Sequence, residues 1–320
     1  MPSSPDSPRS PAVLMLLSSE VVASRHRALR ETAPDLEVVT SLDACDPERI
    51  DALFAFKLAP GVVPRLPNLK LVASVGAGAD GLLATGEIPP DVWVTRVVEE
   101  SLGQSMAQYV AYQVLRRLRG FDRYEVQQRE RQWQRHPIPD GRKHTVGIMG
   151  VGEIGGAVAQ ALLALGLRVT GWSRSGRGVD GMHAMYAGDA QLPEFLAQTD
   201  TLVCLLPFTA ATRGVLDGAL LRKLKPGAFV INAARGGILD EAALVDLVDA
   251  GHLAGAALDV FATEPLPADD PLWPHPRVTV TPHIAAQPTV QGAVAQFLDN
   301  LQRVRSGQPP LHAIDRQAGY

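Results

Sequence analysis

The sequence predicts an α/β protein built from two doubly wound parallel-sheet domains. Three observations carry that reading. Short apolar runs of strand length alternate with helix-length segments along most of the chain, as in strand–crossover–strand units. The stretch from Thr145 to Ser175, TVGIMGVGEIGGAVAQALLALGLRVTGWSRS, reads as strand, glycine turn, helix and second strand in direct succession. The chain has 320 residues and 46% hydrophobic content, enough for two domains that each bury a core.

Composition excludes several classes of function. The net charge of −4 argues against a basic nucleic-acid surface. No apolar run has the length of a membrane span. Ala12 to Leu17 is too short for a signal-peptide core and lacks a basic flank, so it reads as the first strand. Of the two cysteines, Cys45 and Cys204, the second lies in the apolar run Leu202 to Leu206 and reads as a small core residue. A cytoplasmic protein without a disulfide framework is expected, and no metal site.

The elements follow in order. Residues 1–11, MPSSPDSPRSP, read as a disordered tail. Val13–Leu17, Leu36–Thr40, Ala52–Phe56, Leu69–Val75 and Val92–Val94 read as strands, and Val22–Glu31 as a helix that ends before Pro34. These belong to a first domain over 12–98 that is completed by 288–320. Its most informative loop is Gly76-Ala77-Gly78-Ala79-Asp80, where glycines at a strand's C-terminal end let backbone N–H groups face a ligand. The plain alternative is a strand–helix turn capped by Asp80. Ser101–Arg119 reads as one long helix whose apolar content exceeds what one sheet face needs, which predicts a homodimer contact. Residues 121–143 are polar and read as a connecting excursion. The second domain is expected over 99–287.

Within that second domain Gly150, Gly152 and Gly155 form G-x-G-x-x-G between a strand and a helix. The first glycine permits a tight turn, the second lets backbone approach a pyrophosphate, and the third lets helix and strand pack closely. The helix N-terminus supplies free N–H groups for an anion. A dinucleotide is therefore the expected ligand. An NAD-binding unit carries an acid about 20 residues further on, where it accepts from the ribose 2′-OH. Here that place reads Ser173-Arg174-Ser175, and Asp180 lies beyond a Ser-Gly-Arg-Gly run. An arginine and two hydroxyls suit a 2′-phosphate, so NADPH is expected and NADH as a weaker cofactor.

Thr201–Leu206, Ala228–Asn232, Gly255–Val260 and Val278–Val280 read as further strands. Leu216–Leu224, Glu241–Ala250 and Val290–Val304 read as helices. Three polar residues, Arg235, Glu264 and His283, each follow an apolar strand, so all three are expected at the sheet edge that carries the glycine turn.

The ordered series GVGEIG, NAARGG, LDVFATEPLP and TPHIAA resembles that of the D-isomer-specific 2-hydroxyacid dehydrogenases over nearly all of residues 50 to 290. VASVGAGAD, WSRS, MAQYV and PHIAA are most similar to the glyoxylate/hydroxypyruvate reductase A branch. The resemblance implies a flavodoxin-like substrate domain, a Rossmann NAD(P)-binding domain and an active site in the cleft between them. It implies that Arg235 holds the substrate carboxylate and polarises the carbonyl, that His283 is the acid/base and that Glu264 pairs with it. It also places the Ala77 and Gly78 N–H groups on the substrate carboxylate and Asp259 on the nicotinamide carboxamide. Glu153 and Ile154 fall at the pyrophosphate, and Leu206, Pro207, Thr212, Ala233 and Ala285 complete the cofactor contacts. Phe56 and Lys57 stand in the substrate-facing loop, where that branch often has tryptophan, and Gln108 stands where glutamate is frequent. Some phosphoglycerate dehydrogenases of the family carry a later regulatory domain; with the sequence ending at Tyr320, none is expected here.

The implied activity is NADPH-dependent reduction of glyoxylate or hydroxypyruvate. A dehydrogenase for another D-2-hydroxyacid or for phosphite is the alternative within the enzyme class. A cofactor-sensing binding protein, like the corepressors that share this fold, is the alternative outside it.

Overall fold

The computed structural model describes residues 11–17, 19–44 and 46–319. The expected tail over 1–11 lies outside the described residues except for Pro11, and so does Cys45. The chain divides into two units, Met1–Glu99 with Pro288–Tyr320, and Glu100–Gln287.

The first unit runs β1 (Ala12–Leu16), α1 (Ser19–Thr32), β2 (Val38–Val39), β3 (Ile50–Ala55), β4 (Leu71–Ser74), α2 (Asp80–Leu83) and β5 (Trp93–Thr95). Its strands lie in the order β2-β1-β3-β4-β5, every pair parallel. That is the flavodoxin-like order, with the reversal of direction between β1 and β3. All six residues of β3 are buried, as a central parallel strand requires.

The second unit opens with α3 (Glu100–Leu118) and α4 (Phe121–Arg129), then β6 (Thr145–Met149), α5 (Glu153–Ala164) and β7 (Arg168–Ser173). It continues through β8 (Ala184–Ala187), α6 (Gly188–Ala197), β9 (Thr201–Cys204), α7 (Gly218–Leu221) and β10 (Ala228–Asn232). It ends with α8 (Glu241–Asp249), β11 (Leu253–Leu258) and β12 (Val278–Val280). The seven strands lie parallel in the order β12-β11-β10-β9-β6-β7-β8. Direction reverses between β6 and β9, so ligand chemistry belongs at the C-terminal ends beside β6. The chain then returns to the first unit through α9 (Val290–Arg305). There Phe297 stacks on Phe54 of β3 with ring centroids 4.5 Å apart, and Arg305 clamps the buried Asp51 at 2.7 and 2.8 Å.

Four features depart from the sequence reading. The polar segment after α3 begins with a helix, α4, which only Gln127 buries, so its apolar period is weak. β8 and α6 fill residues 184–197, which periodicity leaves blank; β8 has four residues and α6 contains Pro193. The expected helix over 216–224 contracts to α7, capped by the Asp217 side chain, because Leu216 bridges Leu239 instead. The apolar side of α3 is consumed within its own unit: Met106, Ala107, Val110, Val114 and Leu118 share a core with Val158, Ala159 and Leu162 of α5. That side of the helix therefore supplies no dimer contact, and of its large apolar side chains only Tyr112 stays exposed.

Candidate active site

The glycine turn divides its three tasks as the spacing requires. Gly150 has φ +97°, and a Cβ there would fall 2.8 Å from the Leu205 carbonyl oxygen. A Cβ on Gly155 would lie 2.0 Å from the Gly150 carbonyl oxygen, so α5 seats directly on the turn. A Cβ on Gly152 would meet nothing within 4 Å. Gly152 is the N-cap of α5 and offers no side-chain cap, which leaves open space before the helix N-terminus. These residues fit a pyrophosphate. Glu153 and Ile154 form the first turn of α5, and Ser173-Arg174-Ser175 leave the end of β7, with Arg174 exposed.

Arg235, Glu264 and His283 follow β10, β11 and β12, three adjacent strands of one sheet. The His283 Nδ1 lies 2.8 Å from the Glu264 Oε2. The other oxygen, Oε1, accepts the Phe261 N–H at 2.9 Å. Burial works against the Glu264 charge, but hydrogen bonds from His283 and Phe261, with the positive charge of His283 and Arg235, outweigh it and hold the carboxyl below its ordinary range. The Arg235 loop and the Glu264 loop are backbone neighbours: a Cβ on Gly236 would fall 1.8 Å from the Phe261 carbonyl carbon. The Arg235 Nη1 donates to the Ala234 carbonyl at 2.7 Å. His283 has φ +56°, a left-handed conformation that is unusual for a residue with a Cβ and recurs at functional sites.

Other expected cofactor residues have partners inside the chain. Asp259 is 1% exposed, and its carboxylate accepts the Ile284 and Ala285 N–H groups at 2.9 and 2.8 Å. Ala233, Ala285 and Leu206 are buried. The Thr212 hydroxyl donates to the Pro207 carbonyl at 2.6 Å and accepts the Thr209 N–H at 2.8 Å, which folds the loop after β9.

In the first unit, the Ser74 hydroxyl shapes the loop after β4. It accepts the Gly76 N–H at 3.1 Å and donates to the Gly78 carbonyl at 2.6 Å. Ala77 and Gly78 N–H groups have no acceptor among the described residues. Phe56 is exposed beside this loop, its ring 3.7 Å from where a Gly76 Cβ would stand. Lys57 follows it at the surface. Asp80 opens α2, but the N-cap position is Ala79.

Glu241 has a part that sequence reasoning missed. It begins α8, and its Oε1 accepts the Ala262 N–H at 2.7 Å, tethering the turn that bears Glu264. Burial raises its pKa, with Asp270, Glu264 and Asp240 adding to the effect against the Ala262 hydrogen bond. No local signal separates Glu241 from an ordinary first-turn acid. A cavity of ≈ 290 Å³ lies at the opposite, N-terminal edge of the sheet, between Arg123, His136, His144 and Phe229, and is remote from the candidate site.

The family model for the D-isomer specific 2-hydroxyacid dehydrogenase NAD binding domain matches residues 111–285. This chain belongs to the D-isomer specific 2-hydroxyacid dehydrogenases. It is an oxidoreductase of that class. Among its relatives in the family is the glyoxylate/hydroxypyruvate reductase A of Serratia proteamaculans (strain 568), 41% identical over 79% of this chain and 82% of that protein. The Xanthobacter autotrophicus Py2 family member solved with NADPH and MES superposes with a TM-score of 0.89 at 37% identity, covering 97% of this chain and all of the other (100%). The NADPH-dependent glyoxylate/hydroxypyruvate reductase of Sinorhizobium meliloti, solved with NADP and sulfate, gives 0.89 at 37% identity over 98% of this chain and 100% of that one.

Proposed function

We propose that this dehydrogenase uses NADPH to reduce a small 2-oxo acid, glyoxylate or hydroxypyruvate, to the corresponding 2-hydroxy acid. The observation that carries the reading is the Glu264–His283 hydrogen bond of 2.8 Å on a sheet edge shared with Arg235 and the glycine turn. That relatives were solved with NADPH and NADP supports the cofactor, as does the open space at Gly152. Gly150, Gly152, Glu153, Ile154 and Gly155 would hold the pyrophosphate, and Ser173, Arg174 and Ser175 the 2′-phosphate. The bound nicotinamide supplies the hydride for the 2-oxo carbon.

The chain's own residues do the rest. Arg235 presents a planar fork of donors to the substrate carboxylate and carbonyl. The N–H groups of Ala77 and Gly78 suit a carboxylate oxygen. With Nδ1 engaged by Glu264, the His283 Nε2 donates the proton to the developing alkoxide. Glu264 stabilises the imidazolium that does so. Trp133, Ile138 and Tyr112, at 93%, 70% and 59% exposure, are apolar side chains of the second unit left open to a partner, and a second copy of the chain in a homodimer would cover them. The buried Cys204 thiol, pushed up to about 12 by burial, is inert and consistent with a cytoplasmic protein.

The deciding experiment is a panel of 2-oxo acids with NADPH and NADH, read by loss of nicotinamide absorbance. Turnover of glyoxylate or hydroxypyruvate with NADPH is expected. Tight NADPH binding without turnover of any member would replace the enzyme by a cofactor sensor.

A further inference from the structure

Asp259 follows β11 directly as a buried acid, and the chain after β12 wraps around it. Its backbone carbonyl accepts the His283 N–H at 2.8 Å. Its carboxylate accepts the next two N–H groups, Ile284 at 2.9 Å and Ala285 at 2.8 Å. Three successive amides of the histidine loop thus converge on one residue. A fourth donor, the Thr281 hydroxyl, reaches the same carboxylate at 2.6 Å. Because a hydroxyl has one proton, Thr281 cannot also donate to Tyr109, whose oxygen lies 2.9 Å away. Tyr109 is therefore the donor, and the chain runs from Tyr109 to Thr281 to Asp259. Burial pushes the Tyr109 phenol up to about 12, so it keeps its proton across the working range. A second tie joins α3, which carries Tyr109, to the same loop: the Ser105 hydroxyl donates to the Ala285 carbonyl at 3.2 Å.

We infer that Tyr109 and Thr281 are positioning residues for His283, acting through Asp259 to hold the histidine loop in its left-handed conformation. This inference rests on the reading of His283 as the proton donor. His283 has φ +56°, a backbone state that persists only where surrounding contacts over-determine it. The Asp259 carboxylate supplies those contacts, and the two hydroxyls fix where its oxygens point. A hydrogen-bonded chain in a buried site is a more rigid support than a lone carboxylate. Proton delivery depends on placement, since a shift of about 1 Å can cost about 10²-fold in rate.

The test uses the full chain with Thr281→Val, Thr281→Ser, Tyr109→Phe and His283→Ala. Each variant is assayed for kcat, KM and NADPH Kd, and for deuterium uptake by residues 283–285 in the cofactor-free protein. Thr281→Val should lower kcat about 10–100-fold, leave NADPH Kd little changed and speed exchange at Ile284 and Ala285. Thr281→Ser, which keeps the hydroxyl, should restore both properties. Tyr109→Phe should move both in the same direction by less. If Thr281→Val fails to fold, Tyr109→Phe decides, because it removes one oxygen and keeps the ring. Wild-type kcat and exchange in Tyr109→Phe and Thr281→Val would overturn the inference, as would a Thr281→Ser variant as impaired as Thr281→Val. Full turnover by His283→Ala would instead overturn the reading on which it rests.

Discussion

The carboxyl of Glu264 is held below its ordinary range, so at neutral pH the Glu264–His283 contact joins an anion to an imidazole. The contribution of that depressed group to folding is present above the unfolded carboxyl value of about 4.3 and is lost as pH falls through the lower folded value. Reduction should keep its acid side to the same point. Glu264→Gln should lose that acid limb and slow turnover about 10–100-fold, the worth of one hydrogen bond to a charged group; an unchanged acid limb in the pH–rate profile would remove Glu264 from the pair. His283→Ala should lose about 10²–10⁴-fold in kcat, the usual contribution of a positioned acid. NADPH binding, followed by nicotinamide fluorescence, should stay nearly intact, because proton donation occurs away from the phosphates. Arg174→Ala should weaken NADPH about 10–100-fold and leave NADH little affected. Equal weakening of both cofactors would show that Arg174 does not meet a 2′-phosphate.

The β6–turn–α5 element makes its own prediction, since its glycines serve separable ends. Gly155→Ala places a methyl 2.0 Å from the Gly150 carbonyl oxygen, and backbone must move. Thermal unfolding should report a loss of about 1–3 kcal/mol, as for other overpacked sites. Gly152→Ala meets nothing within 4 Å and adopts φ −89°, which alanine tolerates. It should melt like the parent while binding NADPH at least about tenfold more weakly, because the methyl occupies the space where a pyrophosphate approaches backbone. A Gly152→Ala protein with unchanged affinity would show that the phosphates lie elsewhere.

For the molecule as a whole, the exposed side chains on the second unit, Tyr112 of α3 among them, motivate the dimer, while the buried apolar side of α3 does not. Light scattering at micromolar concentration should give twice the chain mass of 34.2 kDa. A monomer would leave Trp133 and Ile138 without the partner proposed for them.

The architecture was legible in the sequence wherever its cause is local. A parallel strand buried on both faces must be a continuous apolar run, so β3, β6 and β10 stand out, and a phosphate turn must place glycines where a Cβ would collide or intrude. The three polar residues after β10, β11 and β12 were legible for the same reason, because strand ends mark a sheet edge. Elements defined by their neighbours were not. α4 buries one side chain, β8 is a four-residue edge strand, and α6 accepts Pro193 in its interior, so propensity and period are silent or misleading there. The apolar stripe of α3 has the same sequence whether α5 or a second chain covers it, and only the folded chain shows that α5 does. Asp259 illustrates the limit at the candidate site. In the sequence it is an acid after a strand. Its binding of the Ile284 and Ala285 amides and the Thr281 hydroxyl joins segments more than twenty residues apart in the chain, and such contacts exist only once β11 and β12 lie side by side.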